Sequence, residues 1–285
     1  TPKDWNKKML SDEHLKVLYY EQDSSKVFSN TDIKGGVAIT YRDNTENFGA
    51  IETFTAFNEL NSIMRKVNTP SDCNVSNIVY IQNRFNLEAL FADYPSSISG
   101  IGSDGRDSRF EKNIFKKVSE VFSNEQTDSS IKVLGIIDNK RVWRYIDQKY
   151  VDKSHENLYK YKVLVPTSNG SGAIGEVLST PLIGSPLIGY TRSFIGIGAF
   201  ETKDEGEAAL KYIKSKFART MLGILKITQD NNKPTWRYVP LQDFTTNSDI
   251  DWSQSVADID RQLYAKYGLN ENEINFIETH VKEMK

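Results

Sequence analysis

The chain has one cysteine, Cys73, among 285 residues. A single thiol excludes an internal disulfide and any thiolate cluster for zinc or iron–sulfur, and it fits a reducing compartment. Histidine is nearly as scarce. His14, His155 and His280 are far apart, share no ligand spacing, and sit in polar segments where a solvated surface position is the expectation. No G-x-S-x-G elbow is present, so Ser/His/Asp hydrolysis has no support. No run approaches the roughly 18 apolar residues of a membrane span, and no signal peptide is visible. These absences predict a cytoplasmic protein with no membrane partner. An excess of one charge is missing too: 36 Lys and Arg stand against 38 Asp and Glu, for a net charge of −2. That excludes a bulk polyanion binder, and any nucleic-acid contact must come from a local basic face.

What is present suffices for a packed protein. Hydrophobic residues make up 38% and aromatics 11% of the chain, enough to bury a core of one large or two modest domains. Trp5, Met9 and Leu10 open a helical pattern, and Leu15–Tyr20 reads as a short strand. Gly35-Gly36 precedes the strand Val37–Tyr41, with residues 47–54 as its expected hairpin partner across Arg42–Thr45. Phe57, Leu60, Ile63, Met64 and Val67 fall at helical spacing. A strand is predicted over 77–83, a short helix over 84–93, and a longer helix over 109–122. Ile131–Ile137 and Lys140–Ile146 flank Asp138-Asn139, a hairpin signal. Tyr161–Pro166 and Ser193–Phe200 are further strands. Lys203–Leu225 is the longest helical pattern. Two more helices, Asp258–Tyr267 and Glu271–Met284, are separated by Gly268 as a helix stop and by Asn270 as an N-cap with Glu273 three residues on.

Two motifs invite chemistry and fail on context. Gly100-Ile101-Gly102-Ser103-Asp104-Gly105 matches G-x-G-x-x-G, but a dinucleotide fingerprint needs an apolar strand immediately before it, and residues 93–99 read as a loop. The carboxylates Asp249, Asp251, Asp258 and Asp260 match no calcium-loop spacing and lie where helices begin, so N-capping by Asp accounts for them without metal. The basic residues are more informative. From Lys132 to Val163, eight cations (Lys132, Lys140, Arg141, Arg144, Lys149, Lys153, Lys160, Lys162) face four carboxylates (Asp138, Asp147, Asp152, Glu156), with Trp143 and four tyrosines interleaved. Just upstream come Arg106, Arg109, Lys112, Lys116 and Lys117. Such cations neutralise phosphates, and Arg reads guanine edges bidentately. A solvated charged face with its aromatics turned inward is the alternative.

Several stretches together resemble the C-terminal half of Eco57I-type restriction–modification methyltransferases. They are Met9–Leu15 leading to Val27-Phe28-Ser29-Asn30-Thr31-Asp32-Ile33-Lys34-Gly35-Gly36-Val37; Tyr161–Pro166 with Asn169-Gly170-Ser171-Gly172; Tyr212–Arg219 followed by Val239–Phe244; and Ser248–Trp252 with Gln262–Leu269. They run in family order along most of the chain, and none is catalytic. The resemblance implies an α+β chain: the remnant edge of an α/β methyltransferase sheet (1–54), a mixed α/β target-recognition domain (55–200) and a helical C-terminal part (201–285). It implies sequence recognition of double-stranded DNA for transfer of a methyl group from S-adenosylmethionine to N6 of an adenine flipped out of the helix. An aromatic residue that packs on the flipped base corresponds to Phe28, with an ordinary core residue as the alternative.

The N-P-P-Y motif and the family's cofactor strand are absent. The expectation is therefore a fragment that holds no cofactor, is inactive alone, and works beside an upstream catalytic domain of the same parent chain. The opening Thr1-Pro2-Lys3, without an initiator Met, also suggests a piece of something longer. The expected DNA contacts are Arg106, Arg109, Lys112, Lys116, Lys140, Arg141, Arg144, Ser168, Asn169 and Ser171. One alternative is the recognition part of a single-chain endonuclease/methyltransferase with nuclease or translocase modules elsewhere. A second is a protein-interaction module whose tyrosines serve a protein partner.

Overall fold

The computed structural model describes residues 2–21, 23–29, 37–51, 53–101, 108–170, 174–226 and 228–284. They divide into two units, Thr1–Ile63 and Met64–Lys285, and mix helix with strand as the sequence patterns predict. In the first unit, α1 (Pro2–Leu10) precedes β1 (Leu15–Glu21), which pairs antiparallel with β2 (Val37–Arg42). Leu15 lies opposite Arg42 and Glu21 opposite Val37.

The expected hairpin between β2 and residues 47–54 does not form. Asp43 accepts the Thr45 N–H at 2.8 Å and the Tyr41 hydroxyl at 2.8 Å, while Arg42 reaches back to Asp12 at 2.7 Å. Phe48 N–H then donates to the Glu13 carbonyl at 2.7 Å. An Asp side chain that bonds the backbone two residues on redirects the chain, here toward the start of β1. The result is a two-stranded ribbon, an element that is marginal by itself. Leu15 is buried in it, whereas Leu18, Tyr19, Ile39 and Tyr41 are exposed.

The helix α2 (Asn58–Val67) leads into the second unit. There follow β3 (Val79–Tyr80), α3 (Leu87–Asp93) capped by the Asn86 side chain, and α4 (Ile98–Ile101). The helix expected over 109–122 shrinks to α5 (Ile114–Lys117) and a 3-10 turn at Ser119–Val121. Tertiary pairing overrides the helical pattern, because Ser123 exchanges both backbone hydrogen bonds with Tyr145 and draws the chain into an extended path. The strands β4 (Ser130–Ile137) and β5 (Lys140–Asp147) form the hairpin that the Asp138-Asn139 pair predicts. Both turn residues take left-handed φ, 49° and 62°, as a two-residue loop between twisted strands requires.

The remaining strands are β6 (Tyr161–Pro166), β7 (Leu182–Gly184), β8 (Ile188–Tyr190) and β9 (Phe194–Phe200). Two sheets result, ordered β5-β4-β8 and β3-β9-β6-β7. Leu134, Leu164, Tyr190 and Phe194 pack together where they meet. On the other face of the first sheet, Ile131, Val133 and Ile146 join Phe85, Leu90, Phe110, Ile114 and Phe115 in a larger core. Each such side chain contributes roughly 1.5–3 kcal/mol on burial.

The single long helix predicted over Lys203–Leu225 is broken into α6 (Lys203–Lys214) and α7 (Lys216–Gly223). At the break, Ser215 has ψ 149° and its side chain accepts the Ala218 N–H at 3.0 Å. The last helices, α8 (Val256–Lys266) and α9 (Glu271–His280), lie close to prediction. Gly268 has φ +59°, and Asn270 with Glu273 forms a reciprocal capping box. α6 packs on the second sheet, where Gly206 approaches Tyr161. No helix among the described residues is long and apolar enough to cross a membrane.

Candidate nucleic-acid interface

α5 has a buried side and a charged side. Ile114, Phe115 and the following Val118 are buried against the β4–β5 hairpin, and Phe115 fits over Gly135, where any side chain would clash with its ring. That packing leaves Lys116 and Lys117 exposed, with Lys112 exposed just before them. Lys116 Nζ bonds Asp138 Oδ1 at 2.8 Å, so this short helix is tied to the hairpin tip. Asp138, Asn139 and Lys140 at that tip are exposed. Lys116, tied to Asp138, and Lys140, two residues on from Asp138, thus form a cationic rim at the turn, and Lys112 and Lys117 are exposed close to Lys116 in sequence.

The other predicted contacts divide. Arg141, Trp143 and Tyr145 share one face of β5, and Lys140, Val142 and Arg144 the other, because strand side chains alternate. Residues 140–145 therefore do not present one basic face. Arg141 is occupied within the protein: Nη1 donates to the Thr180 carbonyl at 2.7 Å and Nη2 to that of Ser179 at 2.6 Å, over the Phe194 ring. Asn169 is buried rather than offered to a ligand. Its Oδ1 accepts the Ser179 N–H at 2.6 Å, and its Nδ2 donates to the Val177 carbonyl at 2.9 Å. The two residues fix segment 177–180 from both sides, so their polar atoms are spent on folding. Arg144 is half-buried and bonds the Trp143 carbonyl at 2.9 Å. Ser168 is exposed and bridges to Asp230. Arg106 and Ser171 lie outside the described residues.

Arg109 is half-buried and forms an isolated antiparallel bridge with Arg84, an exposed residue that the sequence did not bring to notice. Arg109 Nε is buried without a hydrogen-bond partner among the described residues. In the first unit, Phe28 follows the turn Ser24–Lys26, with its N–H on the Ser24 carbonyl at 2.8 Å and its side chain 51% exposed. Exposure of that extent removes the core-residue alternative.

Two buried polar centres went unseen in the sequence. Lys162 on β6 is fully buried, and its Nζ lies 2.7 Å from the Asn157 carbonyl and 3.3, 3.0 and 3.2 Å from those of Leu158, Lys160 and Ser185. Burial lowers its pKa to about 7. A lowered amine pKa is one mark of a nucleophilic lysine, but this one is walled in by carbonyls with no route to a substrate, and its geometry is that of a pin. Beside it, His155 is no solvated surface residue. It sits between the rings of Tyr80 and Tyr190, its Nε2 bonds the Ile81 carbonyl at 2.8 Å, and burial lowers its pKa.

The second centre holds Asp260, which accepts the N–H groups of Lys216 at 3.0 Å and Phe217 at 2.9 Å. The expected N-capping is not found at α7 or α8, which are capped by Ser215 and Ser255; Asp260 reaches the first N–H groups of α7 from within α8. Asp251 instead accepts the Ser253 N–H at 3.0 Å, and Asp249 pairs with Lys266 at 2.8 Å. No group of three or more potential ligands that could hold a metal exists among the described residues. Before Gly100, the segment from Pro95 is a 3-10 turn and α4 rather than a strand, and a side chain at Gly100 would approach the Lys117 carbonyl to 2.8 Å. Close packing accounts for that glycine, while Gly102 and Gly105 lie outside the described residues. The sequence matches no known protein family and no curated protein.

Proposed function

We propose that this chain recognises duplex DNA as the target-recognition part of an adenine-N6 DNA methyltransferase of restriction–modification type, in which S-adenosylmethionine is held elsewhere in the parent protein. The observation that carries the reading is the lysine rim. The Lys116–Asp138 contact sets Lys116 beside the hairpin tip that carries Lys140, on a hairpin whose core is fixed. Phosphates carry most of the affinity for DNA, and cations on rigid elements release counterions at little conformational cost.

Two features of the first unit support the fuller reading. Phe28 presents an exposed ring, as a platform for a flipped adenine must. Leu18, Tyr19, Ile39 and Tyr41 form an apolar exposed surface on the β1–β2 ribbon, and a catalytic sheet in the same parent chain is the partner it fits. That surface equally favours the protein-interaction reading, in which it is the main binding site and the lysine rim is a solvated face. Retention of a labelled duplex across a salt series separates the two. The DNA reading requires binding that weakens steeply with salt. Equal retention at low and high salt, or none at any salt, removes it.

A further inference from the structure

The bridge between Arg84 and Arg109 places two like charges where a sheet normally avoids them. Phe85 N–H donates to the Ser108 carbonyl at 2.6 Å and Phe110 N–H to the Asn83 carbonyl at 2.9 Å. Those bonds flank the pair, which makes Arg84 and Arg109 a non-hydrogen-bonded pair. In such a pair the Cα atoms are about 4.5 Å apart, and both side chains leave from the same side. The intervening residues Phe85 and Phe110 go to the opposite side, into the aromatic core, with ring centroids 4.6 Å apart. The backbone beneath the arginines is therefore rigid.

Two cations directly opposite each other are destabilising unless something neutralises them. Neither arginine forms an ion pair among the described residues. Asp152 feels the charge of Arg84 without forming an ion pair with it, its Oδ1 accepting the N–H and hydroxyl of Ser154. Glu111, close in sequence to Arg109, is paired with Arg192 at 3.1 Å. Arg109 Nε is buried with no acceptor among the described residues.

We propose that Arg84 and Arg109 form a phosphate clamp: two guanidinium forks that share one tetrahedral oxyanion. The planar fork of arginine matches phosphate oxygens bidentately, and a bound anion removes the repulsion that the bridge imposes. The clamp rests on the duplex-binding reading for the source of its phosphate, a backbone phosphodiester. It adds Arg84 to that reading, a residue to which no sequence pattern points.

The test has two arms. In the first, thermal unfolding is followed with inorganic phosphate against chloride of equal ionic strength, for the wild type, Arg84→Gln and Arg109→Gln. Phosphate raises the wild-type Tm beyond chloride, and each substitution abolishes the excess. In chloride alone the variants unfold no earlier than the wild type, because a repulsion has been removed. In the second arm, binding of a labelled duplex of about 25 base pairs is measured between about 50 and 200 mM salt. One lost phosphate contact lowers the slope of log affinity on log salt by about 0.9, so each variant loses about 3.5-fold less affinity across that range than the wild type. The double variant matches the singles, because both arginines hold the same phosphate, and the Arg→Lys variants fall between.

A phosphate effect that survives both substitutions overturns the clamp, as does a wild type that phosphate does not stabilise. An unchanged salt slope in both variants, in a protein that binds duplex, does so too. A phosphate effect lost in the variants, in a protein that binds no duplex, keeps the clamp as a free-phosphate site and removes the DNA reading instead.

Discussion

Asp260 on α8 reaches the start of α7: its Oδ1 accepts the Phe217 N–H at 2.9 Å, where the longest helical run in the chain breaks. Its Oδ2 takes the Lys216 N–H at 3.0 Å, so one buried carboxylate satisfies two of the donors that a new helix start leaves unpaired. Burial raises its pKa from 3.8 to about 6. Between those values the folded state binds the proton more tightly than the unfolded chain does. The stability Asp260 contributes is thus fully present below pH 3.8 and is lost as pH rises through about 6. In urea unfolding, the wild type should therefore lose up to about 3 kcal/mol relative to Asp260→Asn between pH 4 and pH 7. Asp260→Ala, which strands both N–H groups, should be about 2 kcal/mol less stable than Asp260→Asn at any pH, since neither variant titrates there. A difference between wild type and Asp260→Asn that does not change with pH would refute the assignment.

Lys162 runs the other way. Its pKa is lowered to about 7 from 10.5 by burial, so between those values the unfolded chain holds the extra proton. Stability linked to this lysine rises as pH climbs from 7 toward 10.5 and is lost as pH falls through about 7. Comparing the wild type with Lys162→Met between pH 7 and pH 9 should show the wild type gaining about 2 kcal/mol. No relative gain would mean that the four carbonyls hold the ammonium as comfortably as water does.

The hairpin tip tests turn chemistry against DNA contact. Asp138 and Asn139 both have positive φ. Asn139→Ala should cost about 1 kcal/mol in chemical denaturation, and Asn139→Gly should cost nothing or stabilise. Both should bind duplex DNA as the wild type does, since neither changes a cation. A large loss of affinity in Asn139→Gly would make Asn139 itself a contact.

Lys116 separates stability from binding. Its pair with Asp138 is exposed, so Lys116→Gln should shift unfolding by no more than about 0.5 kcal/mol. The salt slope of duplex binding should fall by about 0.9, and by about twice that when Lys140→Gln is added. If both slopes stay at the wild-type value while Arg84→Gln lowers it, the contact surface lies at the arginine bridge and not at the hairpin tip.

Phe28→Ala should leave unfolding within about 0.5 kcal/mol of the wild type, as expected for a half-exposed ring. A loss of several kcal/mol in a thermal or urea melt would return it to the core.

Local chemistry made much of the second unit legible in advance. The Asp138-Asn139 turn fixed one hairpin, and Gly268 with the Asn270–Glu273 box placed the start of α9, because each signal acts within a few residues. The candidate contacts were readable only as charges. Whether a cation is free depends on what the fold brings beside it. Lys116 and Lys140 meet at a tip, while Arg141 and Asn169 are consumed in holding segment 177–180. The partner of β2, the Asp260 contact at the start of α7, the Ser185 carbonyl on Lys162 and the meeting of Arg84 with Arg109 depend on residues at least 16 positions apart, as with Glu21 opposite Val37 or Arg84 opposite Arg109. Periodicity reports which side of an element is apolar, but it cannot report which distant backbone supplies the missing hydrogen bonds. Those long-range pairings, made only when the chain closes on itself, decided which charges were left to meet a ligand.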